Sequence, residues 1–185
     1  GTAAMKNGCI YKGDYIVTWV FGHMLSLKEP EDYDIGYKSW NINSLPIFFK
    51  DWQVKIGKDE NLNKGQISKS QRVNQIGNLL KQADEVIHAG DPDDEGQLLI
   101  DELLRWFNYK GIVKRLDTAN TTLVAMKKAL SHMTDNKPHE PYGWSAYARS
   151  VADLMVGINM SRLFSCKNQT LLTIGRVQTP TLGLV

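Results

Sequence analysis

Alternating helix and strand patterns between residues 66 and 133 constrain the fold of this chain more than any other feature. Three amphipathic stretches are separated by two short apolar runs that predict buried strands. The helical stretches cover residues 66–82, 95–107 and 121–133, and the strands cover residues 85–90 and 112–116. Because strands that alternate with helices usually form a parallel sheet covered by those helices, the sequence predicts an α/β fold with a mostly parallel sheet.

The segments on either side of this core have other patterns. Residues 14–27 are rich in β-branched and aromatic side chains and predict one strand that ends at Gly22-His23, while residues 45–56 predict one or two short strands. After Pro138 only helical patterns occur, over residues 144–164 and again from residue 174. We therefore predict an α/β domain over residues 1–130 and part of an all-α domain over residues 131–185.

Composition excludes several classes of protein. A hydrophobic content of 42% excludes an intrinsically disordered chain, and the longest apolar run, residues 15–27, is shorter than the ~20 residues that span a bilayer. Cys9 and Cys166 form no C-x-x-C pair, which excludes a four-cysteine zinc module and indicates a reducing, cytoplasmic setting. The formal net charge of +2 lies entirely after Pro138, which favours contact of the helical part with a polyanion.

Both ends of the chain predict a piece of a longer protein. The chain begins at Gly1 without a methionine and ends in the apolar run 182–185, whereas natural termini are usually polar. We therefore expect part of the chemistry to lie in other segments of the parent protein.

An acidic segment, Asp91-Pro92-Asp93-Asp94-Glu95-Gly96-Gln97, carries the clearest chemistry. It follows a predicted strand and starts a predicted helix, which is where open α/β sheets place their sites. Asp91, Asp93 and Glu95 alternate, so an extended backbone would direct all three side chains to one side. Close carboxylates repel one another unless a cation neutralises them, and oxygen ligands alone favour Mg²⁺. The alternative is an acidic turn whose charges favour the helix dipole.

The pattern Asp-x-Asp-x-Glu-Gly after a buried strand resembles the Toprim motif of type IA topoisomerases, primases and some nucleases. Three further segments resemble type IA topoisomerases, the topoisomerase III branch in particular, and they follow in the same order. These are the strand and Gly-His turn at residues 17–25, the Ala-Arg-x-x-Ala-Asp helix that ends in Ser-Arg at residues 148–162, and Gly-Arg-Val-Gln-Thr-Pro-Thr-Leu at residues 175–182. The resemblance covers essentially the whole chain.

This resemblance implies passage of DNA through a single-strand break, in which a tyrosine attacks a phosphodiester and the broken strand is later rejoined. Mg²⁺ bound by Asp91, Asp93 and Glu95 would support the cycle, mainly the rejoining. It also implies that the first Toprim strand precedes residue 1 and that the nucleophilic tyrosine follows residue 185. Tyr147 has the Tyr-x-Arg spacing but no Thr-Asp after it, so we interpret it as a packing residue. We expect the chain alone to bind Mg²⁺ without cleaving DNA covalently.

The resemblance implies DNA contacts as well, to single-stranded segments. Arg149 would act at the scissile phosphate as a catalytic residue together with the three acids, while Asp153, one turn later on the same helix face, orients it. Without the resemblance, an ion pair in a domain contact is the simpler interpretation. Arg162 lies about 140° around the helix from Arg149 and shares its face only if the helix breaks near Gly157. The other DNA-binding candidates are His23, Arg115, Arg176, Gln178 and Thr179.

Simpler alternatives exist for two of these candidates: an exposed strand-end cation for Arg115 and a buried strand-end histidine for His23. The chain also departs from the family pattern, which has arginine where this sequence has Asp94 and a final glutamate where it has Gln97. We expect a more negative pocket, with the number of bound metal ions left open.

Two rival functions remain at this point, a Toprim nuclease or primase and a non-catalytic DNA-binding module. We expect no membrane contact and a location in the cytoplasm with the nucleoid. Because a sheet strand is expected to be missing, an unpaired sheet edge would favour dimerisation through that edge.

Overall fold

The structure is a computed structural model that describes residues 4–6, 8–59 and 66–184. The chain divides into two compact units. The first consists of Gly1–Ser26 and Ile56–Gly143, and the second of Leu27–Lys55 and Trp144–Val185. This division differs from the two consecutive segments predicted from the sequence, because residues 27–55 group with the helical part and residues 131–143 with the α/β part.

The first unit begins with a three-stranded antiparallel sheet. Its strands are β1 (Ala4–Lys6), β2 (Cys9–Lys12) and β3 (Tyr15–Val17), paired in the order β1-β2-β3. The single strand predicted over residues 14–27 is therefore broken, because β4 (Leu25–Leu27) belongs to a separate two-stranded sheet with β5 (Val54–Ile56). Gly22 lies in this break with φ of +76°, a left-handed conformation that glycine adopts without steric cost.

The predicted alternation of helices and strands follows in the same unit. The elements are α1 (Lys69–Leu80), β6 (Glu85–His88), α2 (Asp94–Trp106), β7 (Ile112–Arg115), α3 (Leu123–Ser131) and β8 (Thr134–Asp135). Strands β6 and β7 are parallel, with His88 opposite Arg115, and β8 pairs antiparallel to β7. The α/β class is confirmed, although within the described residues this sheet has only one parallel pair of strands.

Local sequence explains where the two long helices of this unit begin and how they pack. Ser68 caps α1 and forms a reciprocal capping box with Gln71, while Asp93 caps α2. Val73 and Ile76 of α1 and Leu98 and Leu103 of α2 are buried in the core. Gly77 allows the close approach of the Phe107 ring, which a Cβ atom at that position would overlap.

The second unit is built on one long helix. Helix α4 (Glu140–Asn168) runs without a break through Gly157 and is longer at both ends than predicted. Residues 27–55 contain three short 3-10 turns, Pro30–Asp32, Ile35–Lys38 and Ile42–Ser44, and an aromatic cluster of Tyr33, Phe49 and Trp52. The last helix among the described residues is α5 (Gln178–Leu182), with Pro180 in its first turn.

Asn159 of α4 holds a loop of the second unit against the helix. Its side-chain oxygen accepts from the backbone N–H of Ile47 at 2.6 Å, and its Nδ2 donates to the Ile47 carbonyl at 2.9 Å. The backbone at Ile47 is therefore held by a side chain rather than by strand pairing. None of the described helices combines the length and the apolar character that crossing a membrane requires.

Candidate functional site

The acidic segment forms the loop between β6 and α2, at the carboxyl end of β6. Asp91 and Asp93 are exposed, and Asp93 caps the helix by accepting from the backbone N–H of Gly96 at 2.6 Å. Because this cap starts α2 at Asp94, Glu95 lies in the first helical turn and not on the extended backbone that the alternation predicted. The loop is also tightly packed, since a Cβ atom at Gly96 would lie 2.6 Å from the backbone nitrogen of Asp91.

The three predicted metal ligands are not assembled into a ligand set. Within the described residues, no three His, Cys, Asp or Glu side chains converge closely enough to hold a metal ion. The donor chemistry suits Mg²⁺, because Asp91, Asp93 and Glu95 offer only carboxylate oxygens. A bound cation would have to draw these side chains together, and the exposure of Asp91 and Asp93 and the partial exposure of Glu95 leave room for this.

Arg115, at the end of β7, lies beneath the acidic loop. Only 2% of the residue is exposed, so it is neither the exposed strand-end cation nor, in this conformation, a surface that DNA can touch. Its guanidinium donates to the carbonyl oxygens of Gly90 at 2.7 Å and Asp91 at 2.8 Å, and to the His88 carbonyl at 3.2 Å. Burial lowers the pKa of Arg115, against the opposing effect of nearby carboxylates, Asp117 foremost. Arg115 therefore positions the loop that carries Asp91.

His88 joins Arg115 to α2. Its Nδ1 lies 3.0 Å from Nη1 of Arg115 and accepts from the Gly90 N–H at 3.3 Å, while Nε2 lies 3.3 Å from the Gln97 carbonyl. Because two donors point at Nδ1, the contacts fit a neutral ring that carries its proton on Nε2. Burial, together with the charge of Arg115, lowers the pKa of His88.

Gln97 completes a buried ring of hydrogen bonds with Asp101 and Asn136. Its Nε2 donates to Asp101 at 2.8 Å and to Asn136 at 2.9 Å, and the Asn136 amide donates to the other Asp101 oxygen at 3.0 Å. A glutamate at position 97, as in the usual family pattern, would place a second carboxylate against Asp101 and remove the donor. The hydrogen bonds that Gln97 donates to Asp101 and Asn136 therefore explain why this chain has glutamine rather than glutamate at position 97.

His23 follows Gly22 and lies beside two glutamates of α2. Its Nε2 is 3.6 Å from Glu95 and its Nδ1 is 3.7 Å from Oε1 of Glu102, an oxygen that is buried and has no hydrogen-bond partner within the described residues. Glu102 contributes most to raising the pKa of His23 and Glu95 adds to it, while partial burial and Lys69 oppose the change. The structure thus brings two predicted site residues, His23 and Glu95, together. The periodicity of α2 could have placed Glu95 and Glu102 on one face, but nothing in the sequence pairs them with His23.

In the second unit, Asp153 pairs with Arg176. The guanidinium donates through Nε to Oδ1 and through Nη2 to Oδ2 at 3.3 Å, which links the Gly-Arg-Val-Gln segment to α4. This contact lowers the pKa of Asp153, with a smaller effect from Arg149, and raises that of Arg176. Arg149 is exposed on α4, one turn before Asp153. The sequence predicted Arg149 as the residue that Asp153 orients, whereas the two-point contact is made to Arg176.

The other predicted DNA contacts of the second unit differ in their exposure. Arg162 is 4% exposed, donates to the Tyr37 carbonyl at 2.6 Å and stacks over the Trp40 ring at 5.4 Å, so its contacts are structural. Gln178 and Thr179 are exposed at the start of α5. Tyr147 donates to the Trp52 carbonyl at 2.7 Å and packs edge-on against Trp144, in keeping with a packing residue.

Comparisons with known proteins match two consecutive segments of the chain. Residues 3–132 match the family model described as the Toprim domain, and residues 137–185 match the one described as DNA topoisomerase. Proteins named DNA topoisomerase 3 are similar over almost the whole chain: that of Vibrio cholerae is 43% identical over 97% of this chain and 28% of its own length. Those of Pasteurella multocida and Salmonella typhimurium are 37% and 38% identical over 93% and 92% of this chain, and 26% of their own lengths. The chain therefore spans 26–28% of the length of these three relatives.

Proposed function

Because this chain belongs to the Toprim family and continues into a DNA topoisomerase segment, we propose that it is part of a type IA topoisomerase of the topoisomerase III branch. The parent enzyme would change DNA topology by cutting one strand, passing DNA through the break and rejoining it. We assign the nucleophilic tyrosine to another segment of the parent, since Tyr147 is engaged in packing. Such a protein would work in the cytoplasm on DNA of the nucleoid.

The proposal for the first unit rests on one observation: the buried guanidinium of Arg115 holds the backbone of the acidic loop in place. Arg115 binds two successive carbonyls of the loop, and Asp93 fixes the start of α2. The backbone of the motif is therefore held while the carboxylates of Asp91 and Asp93 remain exposed. This arrangement suits a site that must accept a cation and a DNA phosphate from solution.

We propose that Asp91, Asp93 and Glu95 hold Mg²⁺ in the working enzyme. The cation would neutralise charge on the phosphodiester during strand exchange. Arg115 and His88 would keep the acidic loop, and with it the carboxylates, in position. His23 would keep its proton next to Glu95. A protonated His23, half exposed beside these acids, would also attract a DNA phosphate.

The proposed DNA interface of the second unit rests on its exposed polar residues. Arg149 and Arg176 supply positive charge, and Asp153 fixes the orientation of the Arg176 guanidinium. Gln178 and Thr179 follow in α5 as uncharged contacts to the strand. We do not place Arg162 in this interface, because its guanidinium is committed to Tyr37 and Trp40.

Binding of fluorescent single strands to the chain, followed by anisotropy over a range of salt concentrations, tests this proposal. We expect affinity to fall linearly with salt on logarithmic axes, and single strands to bind more tightly than a duplex of the same length. We also expect no adduct that survives denaturation, because no tyrosine of this chain is assigned as the nucleophile. Absence of any binding to single strands, or a covalent adduct with this chain alone, would contradict the proposal.

A further inference from the structure

The first unit contains a second buried arginine, Arg72 of α1, in addition to Arg115. Only 3% of Arg72 is exposed, and the helix around it is anchored in the core by Val73 and Ile76. A guanidinium is rarely removed from water to this extent unless other groups engage its charge. The contacts of Arg72 therefore indicate what this position does.

The guanidinium of Arg72 connects α1 with the segment that follows β3. Its Nη1 donates to the Gly8 carbonyl at 2.9 Å and to the Thr18 hydroxyl at 3.3 Å. Its guanidinium carbon lies 5.1 Å from the centre of the Trp19 ring and 5.9 Å from that of Phe21. A cation within about 6 Å of a ring centre is attracted to the face of the ring. Hydrogen bonds and two aromatic faces thus join this segment to α1.

Gly8 makes room for the guanidinium. Its φ is +69°, a conformation that favours glycine, and a Cβ atom at this position would lie 2.8 Å from Nη2 of Arg72. A larger residue at position 8 would therefore crowd the side chain of Arg72. The place of the guanidinium is shaped by the chain before β2 as well as by α1.

The segment held in this way leads directly to His23. Residues 18–24 belong to no helix or strand, so strand pairing does not set their course. The side chains of Trp19 and Phe21 remain 40% and 42% exposed, so they are not enclosed by the core. Two residues after Phe21, the ring of His23 lies 3.6 Å and 3.7 Å from the carboxylates of two glutamates of α2. The position of His23 therefore depends on what holds the two aromatic rings.

We propose that Arg72 is a positioning residue of the candidate site. By holding Trp19 and Phe21 against α1, it keeps the ring of His23 beside α2. Two buried arginines then have parallel tasks, because Arg115 fixes the acidic loop and Arg72 fixes the histidine next to it. The inference rests on the proposed function only for the role of His23 towards DNA.

NMR of the isotope-labelled chain tests the position of His23 without DNA. The nuclear Overhauser effect between the ring protons of His23 and the side chain of Glu102 reports their proximity. We expect this signal in the unaltered chain and its loss in Arg72→Met, which removes the charge and the donors. Arg72→Lys keeps a cation near the rings but loses the fork, so it should retain part of the signal. A signal of equal strength in Arg72→Met would overturn the proposal.

Matched variants separate this role from a general loss of stability. Val73→Ala removes a buried side chain from the same helix and should lower stability while leaving the signal intact. Trp19→Leu/Phe21→Leu removes both aromatic faces at partly exposed positions, so it tests the proposal independently of whether Arg72→Met folds. Loss of the signal in Val73→Ala, or its retention in the double variant, would contradict the positioning role.

Binding of single strands distinguishes this proposal from the proposed function. His23→Gln should weaken binding about two- to fivefold, the range for one exposed ion pair, and Arg72→Met should have a similar effect. Because Arg72 acts through His23, the variant with both changes should bind no more weakly than His23→Gln. Fully additive losses would contradict the positioning role.

The two readouts can also fail separately. A signal that depends on Arg72 in a chain that binds no single strand supports the positioning role and contradicts the proposed function. Single-strand binding in a chain whose signal does not depend on Arg72 contradicts the positioning role and leaves the proposed function intact.

Discussion

Arg115 donates to the carbonyl oxygen of Asp91 at 2.8 Å from beneath the loop, so a buried cation holds the backbone of an exposed acid. The same guanidinium binds the neighbouring carbonyl of Gly90 at 2.7 Å and contacts His88. The exposed carboxylates of the acidic loop therefore depend on a residue that the solvent does not reach.

Replacing Arg115 should destabilise the first unit. Arg115→Ala leaves the carbonyls of Gly90 and Asp91 without their side-chain donor and removes one of the two donors at Nδ1 of His88, and we expect a loss of about 2–4 kcal/mol in the free energy of unfolding. Arg115→Lys keeps the charge but loses the fork, so its loss should be smaller. Urea unfolding measures both, with Arg105→Ala at an exposed position of α2 as the control. An Arg115→Ala loss no larger than that of the control would show that the guanidinium does not hold the loop.

Gln97→Glu restores the residue of the usual family pattern and should weaken this protein. The new carboxylate would face Asp101 without a donor between them, at a cost of about 1–3 kcal/mol near neutral pH. Like charge and burial would raise the pKa of the new glutamate in the folded state, so the loss should grow as pH rises and shrink below the unfolded pKa. Unfolding of Gln97→Glu and of the exposed control Gln82→Glu between pH 4 and 8 measures this. A loss that is independent of pH would contradict the assigned contact with Asp101.

The pKa of His23 should lie above its ordinary value of 6.5 and should depend on α2. Since Glu102 has the larger effect, Glu102→Gln should lower the pKa of His23 more than Glu95→Gln does. A raised folded pKa means that protonated His23 stabilises the fold fully below the unfolded pKa, and that this contribution is lost as pH rises through the folded pKa. NMR titration of the ring protons reports the value, and a pKa at or below 6.5 in the unaltered chain would contradict the contact.

Arg149 and Arg162 should behave differently towards DNA. Arg149→Ala removes an exposed charge and should reduce the salt slope of single-strand binding by about 0.7, the value for one phosphate contact. Arg162→Lys should lower the stability of the second unit, because the contacts with Tyr37 and Trp40 are altered, and leave the slope unchanged. Lys50→Ala is the control for loss of one exposed positive charge. An unchanged slope in Arg149→Ala would remove this residue from the DNA surface.

The spacing of apolar residues predicted the helices and strands of the α/β part of the first unit well. The patterns over residues 66–133 predicted α1, β6, α2, β7 and α3 to within a few residues; apolar side chains of α1 and α2 are buried in the core, whereas α3 has no buried residue. The strand over residues 14–27 was predicted as continuous because apolar residues lie on both sides of Gly22, and the left-handed φ of Gly22 is not visible in composition. The grouping of residues 27–55 with the second unit depends on contacts such as Asn159 with Ile47, which are far apart in sequence.

For the candidate site, the sequence motifs predicted which residues are involved, but not the contacts that surround them. The resemblance to topoisomerase III sequences is confirmed by the family matches, and the acidic loop lies at the predicted end of a strand. The burial of Arg115 could not be predicted, because nothing in Lys114-Arg115-Leu116 tells which side chain turns inward. The ring of Gln97, Asp101 and Asn136 joins residues up to 39 positions apart and appears only when β8 is placed beside β7.

Titration of the ¹⁵N-labelled chain with Mg²⁺ tests most directly the claim that the acidic loop is a metal site. The account predicts saturable amide shifts confined to residues 90–96 and His23. In Asp91→Asn/Asp93→Asn, where asparagine retains the helix cap, these shifts should disappear while the rest of the spectrum is unchanged. A chain that shows no saturable response to Mg²⁺, or the same response in the double variant, would contradict the account.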